Sequence, residues 1–149
     1  MIYESTATLH RTYFISAKPS RISIAPRFGG GMRFLTRKLV KPGDLNANGT
    51  LFGGRCLEWI DEEAAIYASI ESRHRRVVTK SMSAINFVAP ARQGDVVEIG
   101  VRLKKVGVTS LTLEVQVRDL TTLQIIVIID EIVFVCVDET GKPVAHSLR

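Results

Sequence analysis

Two stretches in the second half of the chain, 97–103 and 111–117, alternate strictly between apolar and polar side chains. A period of two places neighbouring side chains on opposite faces of a β-strand, so each stretch predicts a strand with one buried face. Residues 105–108 between them are few enough for a hairpin turn. Three further strands are predicted, at 33–40, 77–88 and 124–137. The last is apolar on both faces in part, which indicates a central position in the sheet.

A helical period appears between residue 53 and about residue 69. There Leu57, Ile60, Ala64 and Ala68 recur at the spacing of one face of an α-helix. Small side chains on this face allow the helix to lie close to a flat surface. One helix and five antiparallel strands must bury their apolar faces against each other. The sequence therefore predicts an α+β fold in which a long central helix is wrapped by a five-stranded antiparallel sheet.

The chain has 149 residues, 46% of them hydrophobic and 23% charged, which suits one globular domain with its own core. The longest purely apolar run, 125–129, is far shorter than the roughly 20 residues of a membrane-spanning helix, so no membrane span is expected. The net charge of +5 is spread along the sequence, which argues against nucleic acid and leaves a phosphate-bearing ligand open. Cys56 and Cys136 are too few for a disulfide framework or metal cluster, which favours a reducing, cytoplasmic location.

Residues 1–32 form an N-terminal extension that differs from the domain predicted for 33–149. They hold four Lys or Arg residues but one acid, are rich in Ser and Thr, and show no regular period. Three interpretations stay open: a disordered tail, a wrongly assigned start with Met32 as the first residue, or an organelle-targeting peptide. None of them assigns chemistry to this segment.

Two glycines, Gly53 and Gly54, stand where the predicted helix begins. The first amides of a helix have no internal acceptor and carry partial positive charge, and glycine lets a ligand approach them. The arrangement can polarise a carbonyl oxygen, but tight packing of the helix start explains the same residues. Asp61 follows about two turns later beside the apolar stripe, where a carboxylate is partly buried. The alternative is a solvated charge, since Glu62 and Glu63 come next.

The loops supply further candidates. Asn46 lies in the turn-rich segment 41–49, where asparagine caps turns but can also orient a water molecule. The basic cluster 73–76 and Lys105 suit the oxygens of a phosphate group, or simply form solvated surface. No histidine falls on the helix or in the loop before it, so neither a Ser-His-Asp triad nor a metal site is indicated.

Residues 46–54 read Asn-Ala-Asn-Gly-Thr-Leu-Phe-Gly-Gly, and Asp61 follows them. Together with the segments 76–79, 94–97, 107–110 and 141–143, this pattern resembles the acyl-CoA hydrolase family of bacteria and organelles, which has a hotdog fold. The resemblance covers about residues 33–145. It implies a homodimer whose sheets join edge to edge, further assembly into a tetramer or hexamer, and active sites at the dimer interface.

Carried over by position, the resemblance implies that Asp61 is the catalytic carboxylate and that Asn46 of the other subunit positions water or substrate. The backbone amide of Gly54 would polarise the thioester carbonyl. The implied substrate-binding residues are Gly53, Arg76, Thr79, Lys105, Gly107, Thr109 and Ser110. No cofactor and no metal are expected, because CoA enters as part of the substrate.

The expected function is therefore hydrolysis of acyl-CoA to a carboxylic acid and CoA, with Asp61 favoured as general base over attack to form an anhydride. Three alternatives stay open: a non-catalytic acyl-CoA-binding or sensor module, a hydratase or dehydratase, and a structural oligomer. Glu62 and Glu63 depart from the family pattern, because many relatives have small residues after the aspartate. Their charge is expected to act on Asp61 or to exclude some acyl groups.

Overall fold

The computed structural model describes residues 30–148. The predictions made for the segment 1–32 therefore lie outside the described residues, except at positions 30–32. The elements in chain order are β1 (Arg33–Leu39), a short 3-10 turn (Pro42–Asp44), α1 (Gly53–Ser72), β2 (Val77–Met82), β3 (Ile85–Phe87), β4 (Val96–Val106), β5 (Ser110–Asp119) and β6 (Ile125–Cys136). No helix within residues 30–148 has the length and apolar character needed to cross a membrane.

The strands form one antiparallel sheet in the order β1-β4-β5-β6-β2, and β3 pairs with β6 beyond the end of β2. The prediction of five strands is corrected to six, because the strand expected at 77–88 is interrupted at Ser83 and Ala84. Opposite this break, Asp130 and Glu131 of β6 face the single residue Glu114 of β5, which is a β-bulge. The bulge bends β6, and the Ser83 amide donates to the Glu131 carbonyl at 2.8 Å across the interruption.

The predicted apolar stripe of the helix is confirmed as its buried face. Ile60, Ala64 and Ala68 are fully buried, and α1 packs on the alternating inward residues of the sheet. The helix runs to Ser72, a little beyond its predicted end, and Arg73 closes it in the left-handed conformation with φ 54°. The helix therefore packs on β2, β4, β5 and β6, and the central position predicted for β6 is confirmed by its neighbours on both sides.

The outer face of the sheet carries a close approach at Gly100 on β4. A Cβ atom there would lie 2.7 Å from both Met32 Cγ and Phe34 Cε1. The guanidinium of Arg118 stacks on the Phe34 ring, with its central carbon 3.6 Å from the centre of the ring. The start of β1 thus lies over bare backbone, which only glycine provides.

Candidate active site

The loop before α1 is held firmly against the rest of the domain. The Phe52 amide donates to the Asp44 carbonyl at 2.8 Å, and the Asp44 carboxylate lies 3.3 Å from Nε of Arg55. The first amide of the helix region with an acceptor is that of Cys56, which donates to the Phe52 carbonyl at 3.0 Å. Within residues 30–148 the amides of positions 53–55 have no acceptor, so the start of the helix presents free donors.

Both glycines at the helix start lie beneath aromatic rings. A Cβ atom on Gly53 would lie 3.1 Å from Cζ of Phe87, and one on Gly54 would lie 2.6 Å from Cε1 of Phe52. Close packing therefore accounts for both residues, as the structural alternative predicted. The same absence of side chains leaves the two amides accessible, so the two interpretations hold together.

A cavity of about 370 Å³ lies beside the helix start. Its inner wall includes the buried residues Cys56 and Val127, while Phe87 and Val88 are exposed at its mouth. Burial raises the pKa of the Cys56 thiol to about 12, so this side chain is a neutral wall and not a nucleophile. Sequence reasoning missed Cys56 as a cavity residue, although its spacing of three from Gly53 places both on one helix face.

Asn46 has the turn-forming role that the loop composition predicts. Its Oδ1 accepts from the amides of Asn48 and Thr50 at 2.9 and 3.2 Å, and its Nδ2 donates to Thr50 Oγ1 at 3.0 Å. The side chain also lines the cavity together with Gly53. The structure therefore brings Asn46 and the helix start together.

Asp61 lies apart from this cavity. Its half-buried carboxylate accepts a 2.7 Å hydrogen bond at Oδ1 from the hydroxyl of Thr79 on β2. Seven residues of helix separate it from Gly54, which is roughly 10 Å along the axis. A single chain therefore does not bring Asp61 to Asn46 or to the free amides.

Glu62 and Glu63 point to β1. Lys38 Nζ lies 3.3 Å from Glu62, and the buried Glu63 carboxylate accepts a hydrogen bond from the Thr36 hydroxyl. Lys38 partly compensates the charge of Glu62, whereas Glu63 contacts only a neutral hydroxyl. The expectation that the two glutamates act on Asp61 or exclude some acyl groups stays a prediction.

Four of the substrate-binding residues implied by the resemblance gather at one end of the sheet. The Cys136 amide donates to the Thr109 carbonyl at 2.8 Å, and the amide of Val137, just after β6, donates to the Arg76 carbonyl at 3.0 Å. The Gly107 amide donates to the Ser110 carbonyl at 2.7 Å and closes the turn, which begins two residues later than predicted. Lys105 is exposed near this end of β4, whereas Thr79 contacts Asp61 instead.

The basic cluster 73–76 borders a shallow depression of about 710 Å³ together with residues 137–139. Arg76 Nη1 lies 3.1 Å from the Glu139 carboxylate, and both side chains are exposed. His74 Nε2 lies 2.9 Å from the Val137 carbonyl, which fixes the ring at the end of the helix. In the part of the chain that the structure describes, no group of His, Cys, Asp and Glu is arranged to hold a metal ion.

A sequence model of the thioesterase superfamily matches residues 48–126. The chain belongs to the thioesterase superfamily. The matched region contains the helix start, Asp61, Thr79 and Phe87, so the elements of the site all fall within or beside it. An uncharacterized acyl-CoA thioester hydrolase of Haemophilus influenzae is 42% identical over 83 residues, which cover 56% of this chain and 53% of that protein.

Solved thioesterase structures share the fold of this superfamily member. The hexameric thioesterase y2039 from Yersinia pestis superposes with a TM-score of 0.73 at 32% identity, covering 78% of this chain and 97% of that one. The acyl-CoA hydrolase of Staphylococcus aureus, solved with butyryl-CoA and CoA, gives a TM-score of 0.67 at 31% identity, covering 74% and 66%. It was also solved with an aspartate, an asparagine or a threonine replaced by alanine. These similarities confirm the predicted hotdog fold.

The match with the first curated relatives spans only between 53% and 60% of their lengths. The chain therefore matches little more than half the length of these relatives.

Proposed function

We propose that this protein hydrolyses acyl-CoA thioesters to a carboxylic acid and CoA. The observation that carries the proposal is the helix start, where free amides lie beside an uncharged cavity in a member of the thioesterase superfamily. Such amides stabilise the oxyanion that forms when a thioester carbonyl is attacked. The reaction requires no cofactor, since CoA enters with the substrate and leaves as the product.

The proposed chemistry uses Asp61 as general base. The carboxylate takes a proton from water as the water oxygen bonds to the thioester carbon, and the Gly54 amide, with that of Gly53, binds the resulting oxyanion. Collapse of this intermediate breaks the carbon–sulfur bond, and the thiolate of CoA takes the proton back. Thr79 is reassigned from a CoA contact to a positioning residue, because its hydroxyl holds one oxygen of Asp61 at 2.7 Å.

One complete site would combine two chains. The separation of roughly 10 Å between Asp61 and the helix start is too long for one water molecule to bridge. We therefore place Asp61 of one subunit opposite Asn46 and Gly54 of the partner subunit. We propose that the protein forms a homodimer, which assembles further into a tetramer or a hexamer. The hexameric thioesterases among the similar structures support the hexamer.

The replaced residues of the Staphylococcus enzyme support the choice of Asn46 and Asp61. Its replaced asparagine precedes its replaced aspartate by fifteen positions, which is also the separation of Asn46 and Asp61. Its replaced threonine follows that aspartate by seventeen positions, and Thr79 follows Asp61 by eighteen. CoA contacts from Arg76, Lys105 and the turn 107–110 stay part of the proposal, as does a cytoplasmic location, for which two free buried thiols are the support.

The test is release of free thiol from acyl-CoAs between acetyl and palmitoyl by the wild type, Asp61→Asn and the control Asp130→Asn. Asp130 is an exposed aspartate on β6 and lies outside the proposed site. We expect Asp61→Asn to lose about 100-fold or more in kcat while the control keeps wild-type rates. Full activity of Asp61→Asn would contradict the mechanism. A wild type that binds CoA but hydrolyses no member of the panel would instead indicate the acyl-CoA-binding module.

A further inference from the structure

We propose that the cavity beside the helix start receives the acyl chain and that its buried inner wall sets the longest chain the enzyme accepts. This inference rests on the proposed function and adds a substrate preference to it. The residues that would set the limit are Cys56 on the helix and Val127 on β6, which form part of the inner wall.

The position of the cavity limits which parts of the substrate can enter it. A thioester carbonyl held at the free amides has its acyl carbon chain on one side and the sulfur of CoA on the other. Gly53, which supplies one of these amides, also lines the cavity. Either of these two groups could therefore enter the cavity while the carbonyl oxygen stays bound to the amides.

The chemistry of the lining selects the acyl chain over CoA. Among residues 30–148, no residue that lines the cavity carries a formal charge, and the only polar side chains in the lining are Asn46, Thr50 and the neutral thiol of Cys56. The phosphates of CoA need cations or many donors, which this lining lacks. A saturated chain gains by leaving water for such a surface.

The size of the cavity then predicts a limited chain length. Its volume of about 370 Å³ is close to the lower end of the roughly 300–1,000 Å³ typical of small-molecule pockets. Cys56 is 1% exposed and Val127 is 1% exposed, so both belong to the packed core and do not yield readily. A chain that fills the space must displace this core to extend further, which predicts a fall in activity from medium to long chains.

Two substitutions change the cavity in opposite directions. Ala89 is half-buried at the cavity, and the larger side chain of Ala89→Leu would fill part of it. Cys56→Ala removes the thiol and would make the cavity deeper. Ala145→Leu is the matched control, because Ala145 is exposed in the C-terminal segment away from the cavity. Circular dichroism and sedimentation would verify that each variant keeps the fold and the oligomeric state of the wild type.

The experiment measures kcat/KM for acetyl-, butyryl-, octanoyl- and palmitoyl-CoA with each variant. We expect Ala89→Leu to lower the octanoyl-to-acetyl ratio about tenfold or more, Cys56→Ala to raise the palmitoyl-to-octanoyl ratio, and the control to leave both ratios unchanged. Equal loss on every chain length, or a changed oligomeric state with an unchanged profile, would overturn the inference. Binding of non-hydrolysable acyl-CoA thioethers by calorimetry gives the same ratios without turnover, so a failed pocket and a failed thioesterase are distinguishable.

Discussion

The hydroxyl of Thr79 donates a 2.7 Å hydrogen bond to Oδ1 of Asp61 and so joins β2 to the middle of α1. One oxygen of the carboxylate is thereby fixed. The other, Oδ2, has no partner among residues 30–148 and is left to accept a proton from water. Thr79 thus orients the carboxylate on the proposed reaction coordinate without touching the substrate itself.

Replacing Thr79 by valine keeps the shape of the side chain and removes this donor. We expect kcat to fall between about tenfold and 100-fold, since a hydrogen bond to a charged group contributes about 1.5–3 kcal/mol. KM for one acyl-CoA should change little, and Thr79→Ser should restore most of kcat. A raised KM with unchanged kcat would show that Thr79 contacts CoA instead.

Division of the site between two chains predicts that inactive variants complement each other. Asn46→Ala and Asp61→Asn should each be nearly inactive alone. When the two are co-expressed with different affinity tags, random pairing should restore roughly a quarter of wild-type activity, because half of the dimers are hybrid and one of their two sites is intact. Purified hybrids that stay inactive would place both residues in the same chain's site.

Both cysteines should resist thiol reagents in the folded protein. Burial raises the pKa of Cys56 to about 12 and raises that of Cys136, although a hydrogen bond with Ser72 partly offsets the second shift. At pH 8 the thiol of Cys56 is then almost entirely protonated. We expect a chromogenic disulfide to label neither residue until denaturant is added, when both should react. Rapid stoichiometric labelling of native protein would contradict the burial.

The buried Glu71 should contribute less to the stability of the fold at neutral than at acidic pH. Burial raises the pKa of its carboxyl above the ordinary 4.5, and Arg33 at 3.4 Å only partly offsets this. The folded state therefore holds the proton more tightly than the unfolded state, and stability falls as pH rises from 4.5 through the folded pKa. Glu71→Gln should thus unfold at a higher temperature than wild type at pH 7.5 and at the same temperature at pH 4.

Substitution of the exposed Glu62 provides the control for Glu71. Its pair with Lys38 is largely solvated, so Glu62→Gln should change the free energy of unfolding by less than about 1 kcal/mol at either pH. An equal effect of both substitutions would mean that burial of Glu71 does not control the pH dependence.

Glu98 should have the opposite pH dependence. Burial by itself raises the pKa of this carboxyl, but hydrogen bonds from Arg118 and Arg37 outweigh burial and hold the pKa below 4.5. Its stabilising contribution is present above pH 4.5 and is lost as pH falls through the folded pKa. Glu98→Gln should therefore lower the urea midpoint at pH 7, and the difference should shrink towards pH 3. A difference that grows on acidification would refute this account.

Much of the fold could be predicted from periodicity alone. The alternation at 97–103 and 111–117 and the stripe through Ile60, Ala64 and Ala68 each specify a buried face, which is a local property. The interruption at Ser83 depends on a bulge in β6, which pairs with it from far along the chain. No local pattern records such a pairing, so the strand at 77–88 was expected to be continuous.

The sequence could predict which residues belong to the candidate site, but not how those residues are arranged in space. Gly53, Gly54 and Asp61 follow from helix geometry and from the family resemblance. The contact of Phe87 with Gly53 and the hydrogen bond from Thr79 arise from long-range packing, and sequence spacing gives no distance between these groups. The resemblance implied that Thr79 binds the substrate, and the hydrogen bond that the structure shows between Thr79 and Asp61 could not be read from the sequence.

Gly100 has a consequence for how this sequence can vary over time. A side chain at position 100 would collide with both Met32 and Phe34, so a substitution there requires both of these side chains to move away or to be replaced by smaller ones. Trimming Phe34 would in turn remove the ring on which Arg118 stacks. Positions 34, 100 and 118, on three neighbouring strands, are thus coupled in their evolution. A substitution at one of them restricts which side chains the other two can carry.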